Sequence, residues 1–406
     1  GSLNDFWSLE AVGIREELEC GVLSQFQETV KFNESSGRYQ VSLPWRPGFG
    51  PLADNHALCY KRLQNQLSRF RRCPELFEEY DRVMQDQLDS GVLELVPPEV
   101  VEAGGCYYLP HHCVVREDHS TTKLRVVYDG SSKVIGPSLN QSLFQGPCLL
   151  PELVRILLRF RCKQYAVVGD LEKAFLQIEV VESDRDYLRT LWVKEFDPYK
   201  FSQVPTVIAL RFTRFVFGVT SSPFHLLATI RNHTEKYIDR YKTIVEEIRS
   251  SMYVDDFVSG ADTKMEAYAL FTTARDILRD GGFNLRKFAS NDSELERLAE
   301  SGGNSSWSSH DEGVSFAKTV HMSLEVPQSV SEQKVLGVVW DKEADDLVFR
   351  FDALLAASKS IPMTKRGLLQ LIARVFDPLG LLSPLFVCLK CAFQYVCKSG
   401  IGQMSN

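Results

Sequence analysis

Two adjacent carboxylates, Asp255 and Asp256, stand inside the otherwise apolar, β-branched run SMYVDDFVSG (251–260). Alternation predicts a strand that enters through Met252 and Val254 and leaves through Phe257 and Val258, with a two-residue turn of acids between them. Asp suits a turn because it hydrogen-bonds its own backbone, so a hairpin tip on the surface is one reading. The other reading is chemical. Asp170 ends a second apolar strand, in YAVVGDLEKAF. A buried carboxylate is costly unless it is paired or binds a metal. Three acids at strand ends and turns, from distant segments, suit Mg²⁺, which takes few carboxylates and fills its shell with waters and substrate phosphates. Two such ions, ~3.5–4 Å apart, can activate an attacking hydroxyl and stabilise a leaving pyrophosphate. That chemistry is phosphoryl transfer, where positioning and charge neutralisation supply most of the rate.

Several elements must hold these acids. YAVVGDLEKAFLQIEV reads as a buried strand running into a short helix. Pro151 opens an amphipathic helix with Leu153, Leu157 and Phe160 on one face. LRFTRFVFG is a further strand, after which Ser221 and Pro223 signal a long helix by cap and proline. Residues 266–279 form a helix with Leu270, Ala274, Ile277 and Leu278 inward, ended by Gly281 and Gly282. KVLGVVWD and LVFRF pair as a hairpin across the acidic turn 341–346. Upstream, 54–72 is a basic helix, and 74–90 is a second helix closed by Gly91. VLELVPP is a short strand, and YYLPHHCVVRE and TTKLRVVYDGS are two strands joined by a polar turn at Asp118 to Ser120. His111 and His112 lack ligand partners, so packing is their expected role. SGGNSSWSSHDEG is a loop in which Trp307 carries no assignable role, and TKRGLLQLIARVF and PLFVCLKCAFQYVCK are helices.

The 406 residues are too many for one small core, so two or three subdomains are expected. No apolar run approaches the ~20 residues of a membrane span, and the richest stretch is broken by Arg374, Asp377 and Lys390. The opening Gly-Ser reads as an expression scar with no signal peptide. The ten cysteines read as scattered, without C-x-x-C pairs or a His–Cys ligand spacing, which argues for reduced thiols in a cytoplasmic protein, not a disulfide scaffold or zinc site. The net charge of −7 argues weakly against nucleic acid. Its distribution argues the other way. From Ala353 onward there are six bases and one acid, and a second basic cluster is Lys61, Arg62, Arg69, Arg71 and Arg72. Such faces can hold a phosphate backbone, or can simply be solvated helix surface.

YVDD in a hairpin, preceded by DLEKAF and FVFGVTSSPF, resembles a reverse transcriptase. LPHH, TTKLRVVYDGSSK, GDLEKAFLQI, SMYVDDFVSGADT, GGFNLRKFASN, VLGVVWD and ARVFDPLGLLSPL occur in one order. Together they resemble the reverse transcriptases of BEL/Pao-type LTR retrotransposons, from about Phe6 to beyond Pro384. The resemblance implies an α+β right-hand polymerase, with fingers, palm and thumb and an antiparallel palm sheet packed on helices. On this reading residues 1–74 are an N-terminal extension packed on the fingers, 75–165 fingers, 166–184 palm, 185–215 fingers, 216–350 palm with a primer-grip hairpin, and 351–406 thumb.

The same resemblance implies residue roles. Asp170, Asp255 and Asp256 would hold two Mg²⁺ ions, with Mn²⁺ as the alternative, and the Leu171 carbonyl would add a ligand. Asp256 would tune the site more than bind both ions. Phe175 would pack under the sugar of the incoming dNTP and exclude a 2′-hydroxyl; the plain alternative is a core phenylalanine. Ala174 would offer its N–H nearby, and Gly218 would let backbone approach the templating pair or sugar. Phe217 stands where some retroviral enzymes carry Gln. Lys123 and Arg125 would clamp the triphosphate, Arg through bidentate contact. Lys287 would protonate pyrophosphate as general acid, or merely face solvent. Leu336, Gly337, Val338 and Trp340 would grip the primer end, and Lys365, Arg366 and Arg374 would track nucleic-acid phosphates. The expected partners are an RNA or DNA template with its primer, and no membrane. RNase H and integrase regions are expected in such a polyprotein and absent here, and a virus-like particle would house an active element. Two functions stay open: an active RNA- and DNA-templated DNA polymerase, or a domesticated nucleic-acid-binding or protein-interaction module. The three intact aspartates favour the first.

Overall fold

YAVVGDL folds as the strand Tyr165–Leu171, buried along its whole length after Tyr165. It is an inner strand of a four-stranded antiparallel sheet, flanked by Asp256–Ala261 on one side and Leu285–Ala289 on the other, with Met252–Tyr253 at the edge. Burial on both faces explains its near-continuous apolar run. Its alternate residues Ala166 and Val168 join Val258, Ile156, Leu157, Phe160 and Trp340 in one core. Helix Leu153–Arg161 supplies three of these, Ile156 among them, and Phe160 meets Trp340 edge to face at 5.1 Å. Gly169 faces the other way, where an added Cβ would lie 3.0 Å from Leu285 and 3.2 Å from Phe271. Phe271 belongs to the helix Lys264–Asp280.

The structure is a computed structural model that describes residues 16–48, 52–97, 105–115, 124–200, 204–301, 329, 331–362 and 364–399. The chain divides into two compact units. One holds this sheet and comprises Leu150–Glu172, Tyr237–Ile277 and Asn284–Asn406. The other comprises Gly1–Leu149, Lys173–Lys236 and Leu278–Phe283. Helix Leu153–Arg161 therefore shares a core with the strand read as palm, although the sequence assigned it to the fingers. Its buried side chains Ile156, Leu157 and Phe160 face that sheet.

In the sheet-bearing unit a second, three-stranded sheet runs Glu332–Val335, Val338–Asp341, Asp346–Val348. VLGVVWD is thus not one strand. It reverses at Leu336 and Gly337, whose φ values are +48° and +89°, the left-handed pair of a tight hairpin. Leu336, Val338 and Trp340 are fully buried, so no side chain of these three is placed to grip a primer. Trp340 Nε1 donates to Asp345 Oδ1 at 2.9 Å, and Arg161 pairs with the same carboxylate at 2.5 Å. Three helices follow, Asp352–Ser360, Lys365–Ala373 and Ser383–Lys398. The expectation of no C-x-x-C pair is wrong: Cys388 and Cys391, both exposed, form one on the last of these helices. Among the described residues, no helix is long and apolar enough to cross a membrane.

The other unit carries small sheets. The hairpin read above as fingers pairs His111–Val115 with Leu124–Tyr128; its tip, with the expected turn at Asp118 to Ser120, lies outside the described residues. So does the loop containing Trp307. The expected strand LRFTRFVFG is displaced toward the N-terminus: the ladder runs Thr206–Phe212, paired to Leu93–Leu95 and Arg189–Lys194. The following helix is Ser222–Glu235, and the Ser221 side chain makes no cap bond, so Pro223 alone marks its start. After Tyr237 a separate helix, Ile238–Ser251, leads into the YVDD hairpin.

Two histidines of this unit are fully buried among aromatic rings. His111 Nε2 lies 2.9 Å from the Leu191 carbonyl, and its Nδ1 meets the Tyr80 hydroxyl. His225 packs against Phe26, Phe215 and Phe224. Burial pushes the two imidazoles down, to about 4 and about 3. Because both folded values lie below that of the free side chain, the unfolded chain binds more protons as pH falls through 6.5. Stability is then complete above that pH and is lost below it, by about 2 kcal/mol per imidazole at pH 5. Denaturant unfolding at pH 7 and pH 5 checks this; equal midpoints would show that neither ring is held neutral.

Candidate active site

Asp170 and Asp256 are direct partners across the antiparallel ladder, followed inward by Val168 with Val258. Paired residues share a face, so the two carboxylates continue the row whose apolar members form the core. The sheet's hydrophobic stripe thus ends in two acids. Asp170 and Asp256 are each 6 % exposed and Asp255 4 %. The surface hairpin tip considered above is therefore not what forms.

The turn also differs by one residue from the expected one. Tyr253 pairs with Asp256, so the two turn residues are Val254 and Asp255. Val254 has φ +59° and no exposed surface. Left-handed φ at the first turn position alone is the II′ pattern, a place for glycine. A β-branched residue there carries strain of roughly 1–2 kcal/mol. The turn is pinned by the Leu171 N–H, which donates to the Asp255 carbonyl at 2.7 Å.

The strand Leu285–Ala289 brings cations to the same place. Its register shifts between Arg286 and Ala289, and within that bulge Lys287 has φ +54°. Lys287 Nζ lies 3.7 Å from Asp170 Oδ2. Arg286 pairs with Glu172 at 2.9 Å, and Asn284 Nδ2 donates to the same carboxylate at 2.7 Å. Arg286, Asn284 and Glu172 did not stand out in the sequence. Their signal is spacing alone: Asp170 and Glu172 stand two residues apart across the end of one strand, and the two bases are neighbours on the next.

Among the described residues, no group of three or more His, Cys, Asp or Glu side chains converges into a ready metal cage. The donor chemistry nonetheless fits Mg²⁺. Hard carboxylate oxygens from one or two residues suffice when substrate phosphates complete the shell. Asp170 and Asp256 offer such a pair, with Asp255 at the adjoining turn.

Of the remaining candidates, Arg125, Ala174, Phe175, Phe217 and Gly218 belong to the other unit, and Lys365, Arg366 and Arg374 to the sheet-bearing one. Ala174 and Phe175 are buried in the short 3₁₀ helix Ala174–Gln177. Phe175 meets Phe217 edge to face, with centroids 4.6 Å apart. Gly218 has φ +98°, and a Cβ there would overlap the Tyr128 carbonyl. The close approach this glycine permits is thus to the chain's own strand Leu124–Tyr128. Asn140 clamps the contact: its Nδ2 donates to the Gly218 carbonyl and its Oδ1 accepts from the Thr220 N–H, both at 2.9 Å. Asn140 was missed; its signal is the capping box of Ser138 and Gln141, which fixes its short helix. Gly218→Ala is expected to cost roughly 2–4 kcal/mol through backbone strain and overlap, read by denaturant unfolding; a neutral substitution would contradict that geometry. Arg125 lies half-buried on the strand Leu124–Tyr128, opposite Val114. Lys123 lies outside the described residues. Lys365 and Arg374 are half-buried, and Arg366 is exposed.

A sheet ending in paired carboxylates, with a strained acidic turn beside them, gathers hard oxygen donors of the kind that divalent cations take. Residues 364–404 match the family model of the Pao retrotransposon-like RNaseH-like domain. That match supports a Pao-type retrotransposon origin. It contains none of the three aspartates, and it falls on residues read above as thumb and as free of RNase H sequence. No curated protein matches the chain.

Proposed function

We propose that this chain is a reverse transcriptase: an RNA- and DNA-templated DNA polymerase that extends a primer 3′ end with dNTPs. The observation that carries the reading is the ladder pairing of Asp170 with Asp256 at the end of a buried apolar row, with Asp255 in the adjoining turn. Buried acids gathered without an apolar purpose call for a cationic partner. The seven ordered sequence blocks agree with it, and the Pao match supports the retrotransposon origin that the reading assumes.

Asp170, Asp255 and Asp256 would hold two Mg²⁺ ions. Bound there, the ions supply activation of the primer hydroxyl and neutralisation of charge on the leaving pyrophosphate. The chain's own part is positioning. The strained Val254 turn fixes the direction of Asp255, and ladder pairing fixes Asp170 against Asp256. Lys287, an ion-pair partner of Asp170, would hold positive charge beside the phosphates. Arg125 would orient the triphosphate by bidentate contact. Lys365, Arg366 and Arg374 would neutralise nucleic-acid phosphates.

Primer extension on RNA and on DNA templates, with Mg²⁺ or Mn²⁺, tests the proposal. Extension on both is expected. Absence of extension under every condition, with tight primer–template binding retained, would leave a nucleic-acid-binding module in its place.

A further inference from the structure

The helix His56–Phe70 buries Cys59, Leu63, Leu67 and Phe70. Its opposite face has a different character. Tyr60, Lys61, Gln64, Asn65, Ser68, Arg71 and Arg72 follow one another at helical spacing along the outward side and just past the helix end. From His56 to Cys73 there are five bases and no acid, in a chain whose net charge is −7. Along the edge of this face lies a cavity of about 470 Å³, walled by Tyr60, Gln64, Asn65 and Ser68 of the helix with Arg71 just past its end, and floored by the apolar side chains of Leu63, Leu67 and Val207, with Val204 and Pro205 opposite. A volume of this order suits a drug-sized or nucleotide-sized group. Tyr60 stacks on His56 with centroids 6.3 Å apart, and Arg71 is held over the Phe196 ring at 5.6 Å.

We propose that this cavity and its basic rim form a second nucleic-acid site, which takes an unpaired base of a single strand while Lys61, Arg71 and Arg72 hold the flanking phosphates. Three features set the class of ligand. The amides of Gln64 and Asn65 can each donate and accept, which matches a base edge. The ring of Tyr60 offers a stacking face, and bases of single strands are free to use it. The excess of positive charge with no acid on this helix selects a polyanion. A duplex keeps its bases stacked and cannot fill the cavity. Basic residues at a helix end also complement the dipole there, but that role explains Arg69, Arg71 and Arg72, not Lys61 or the amide-lined cavity.

The site does not depend on the polymerase reading, and its test keeps the two apart. Fluorescence anisotropy of a labelled single-stranded RNA or DNA 12-mer is measured with the full chain in EDTA, without dNTP or primer. The Gln64→Glu/Asn65→Glu double variant replaces two exposed polar residues and leaves the buried face untouched. It is expected to weaken binding by at least about tenfold, and Tyr60→Ala by about tenfold. Lys61→Ala/Arg72→Ala should flatten the slope of log K against log salt by about 1.4, near 0.7 for each lost contact. Asp255→Asn should leave all of these values unchanged. Wild-type affinity and slope in the charge variants would overturn the proposal. So would a 12-mer duplex that competes as well as the single strand, or a poly-glutamate peptide that competes in its place.

Discussion

Primer extension by Asp255→Asn is expected to fall by about 10³-fold or more, while primer–template affinity stays within about twofold. The size follows from the way residues that act as one unit lose nearly the whole effect together. Asp255 adjoins the Asp170–Asp256 pair through the Val254 turn and the Leu171 N–H. Asn keeps the shape of the side chain and removes its charge. Asp255 is only 4 % exposed, so the isosteric change avoids a cavity in a closed site. The fold is expected to survive, which a melting curve checks. In the proposed function, primer–template is held by phosphate contacts elsewhere, so its binding reports an intact protein. Full activity in this variant would sink the polymerase proposal.

The carboxylate row was readable because its pattern is local. Ala166, Val168 and Asp170 alternate on one strand, and Phe257 and Val258 announce its neighbour. The turn was misplaced by one residue for a physical reason. Valine is the last residue that propensity would put at φ +59°, so the reading gave the turn to the two acids. A one-residue change in register moves side chains between faces, and here it decides that Asp256 shares a face with Asp170. Leu336 hid the reversal at Gly337 in the same way, since its left-handed φ breaks an apolar run that reads as one strand. The Gly218 contact was out of reach because its partner, Tyr128, is distant in sequence and nothing local encodes it. Burial of all three acids was equally invisible, since the apolar row that Asp170 and Asp256 continue packs against helix Leu153–Arg161 and Trp340, which no local pattern announces.

Phe175→Val is expected to change sugar selection and to lower stability, and the two effects come from different properties of one ring. Phe175 is 2 % exposed and makes an edge-to-face contact with Phe217 at 4.6 Å. Truncating a buried phenylalanine to alanine costs ~3–5 kcal/mol, and valine, which keeps part of the volume, should cost less. That loss follows from packing alone. The sugar effect follows from the proposed function, in which the ring lies under the incoming nucleotide and meets a 2′-hydroxyl. A steric clash discriminates more sharply than a lost methylene contact. Relieving it should raise NTP incorporation by more than dNTP incorporation falls. Thermal stability and incorporation efficiency for dNTP and NTP, measured on the same preparation, separate the two properties. Phe217→Leu is the control, because it disturbs the same aromatic pair without shortening Phe175. If Phe217→Leu relaxes sugar choice as far as Phe175→Val does, the selection comes from general loosening of the pair. If Phe175→Val melts early and keeps its preference for dNTP, the ring is a core residue and the gate lies elsewhere.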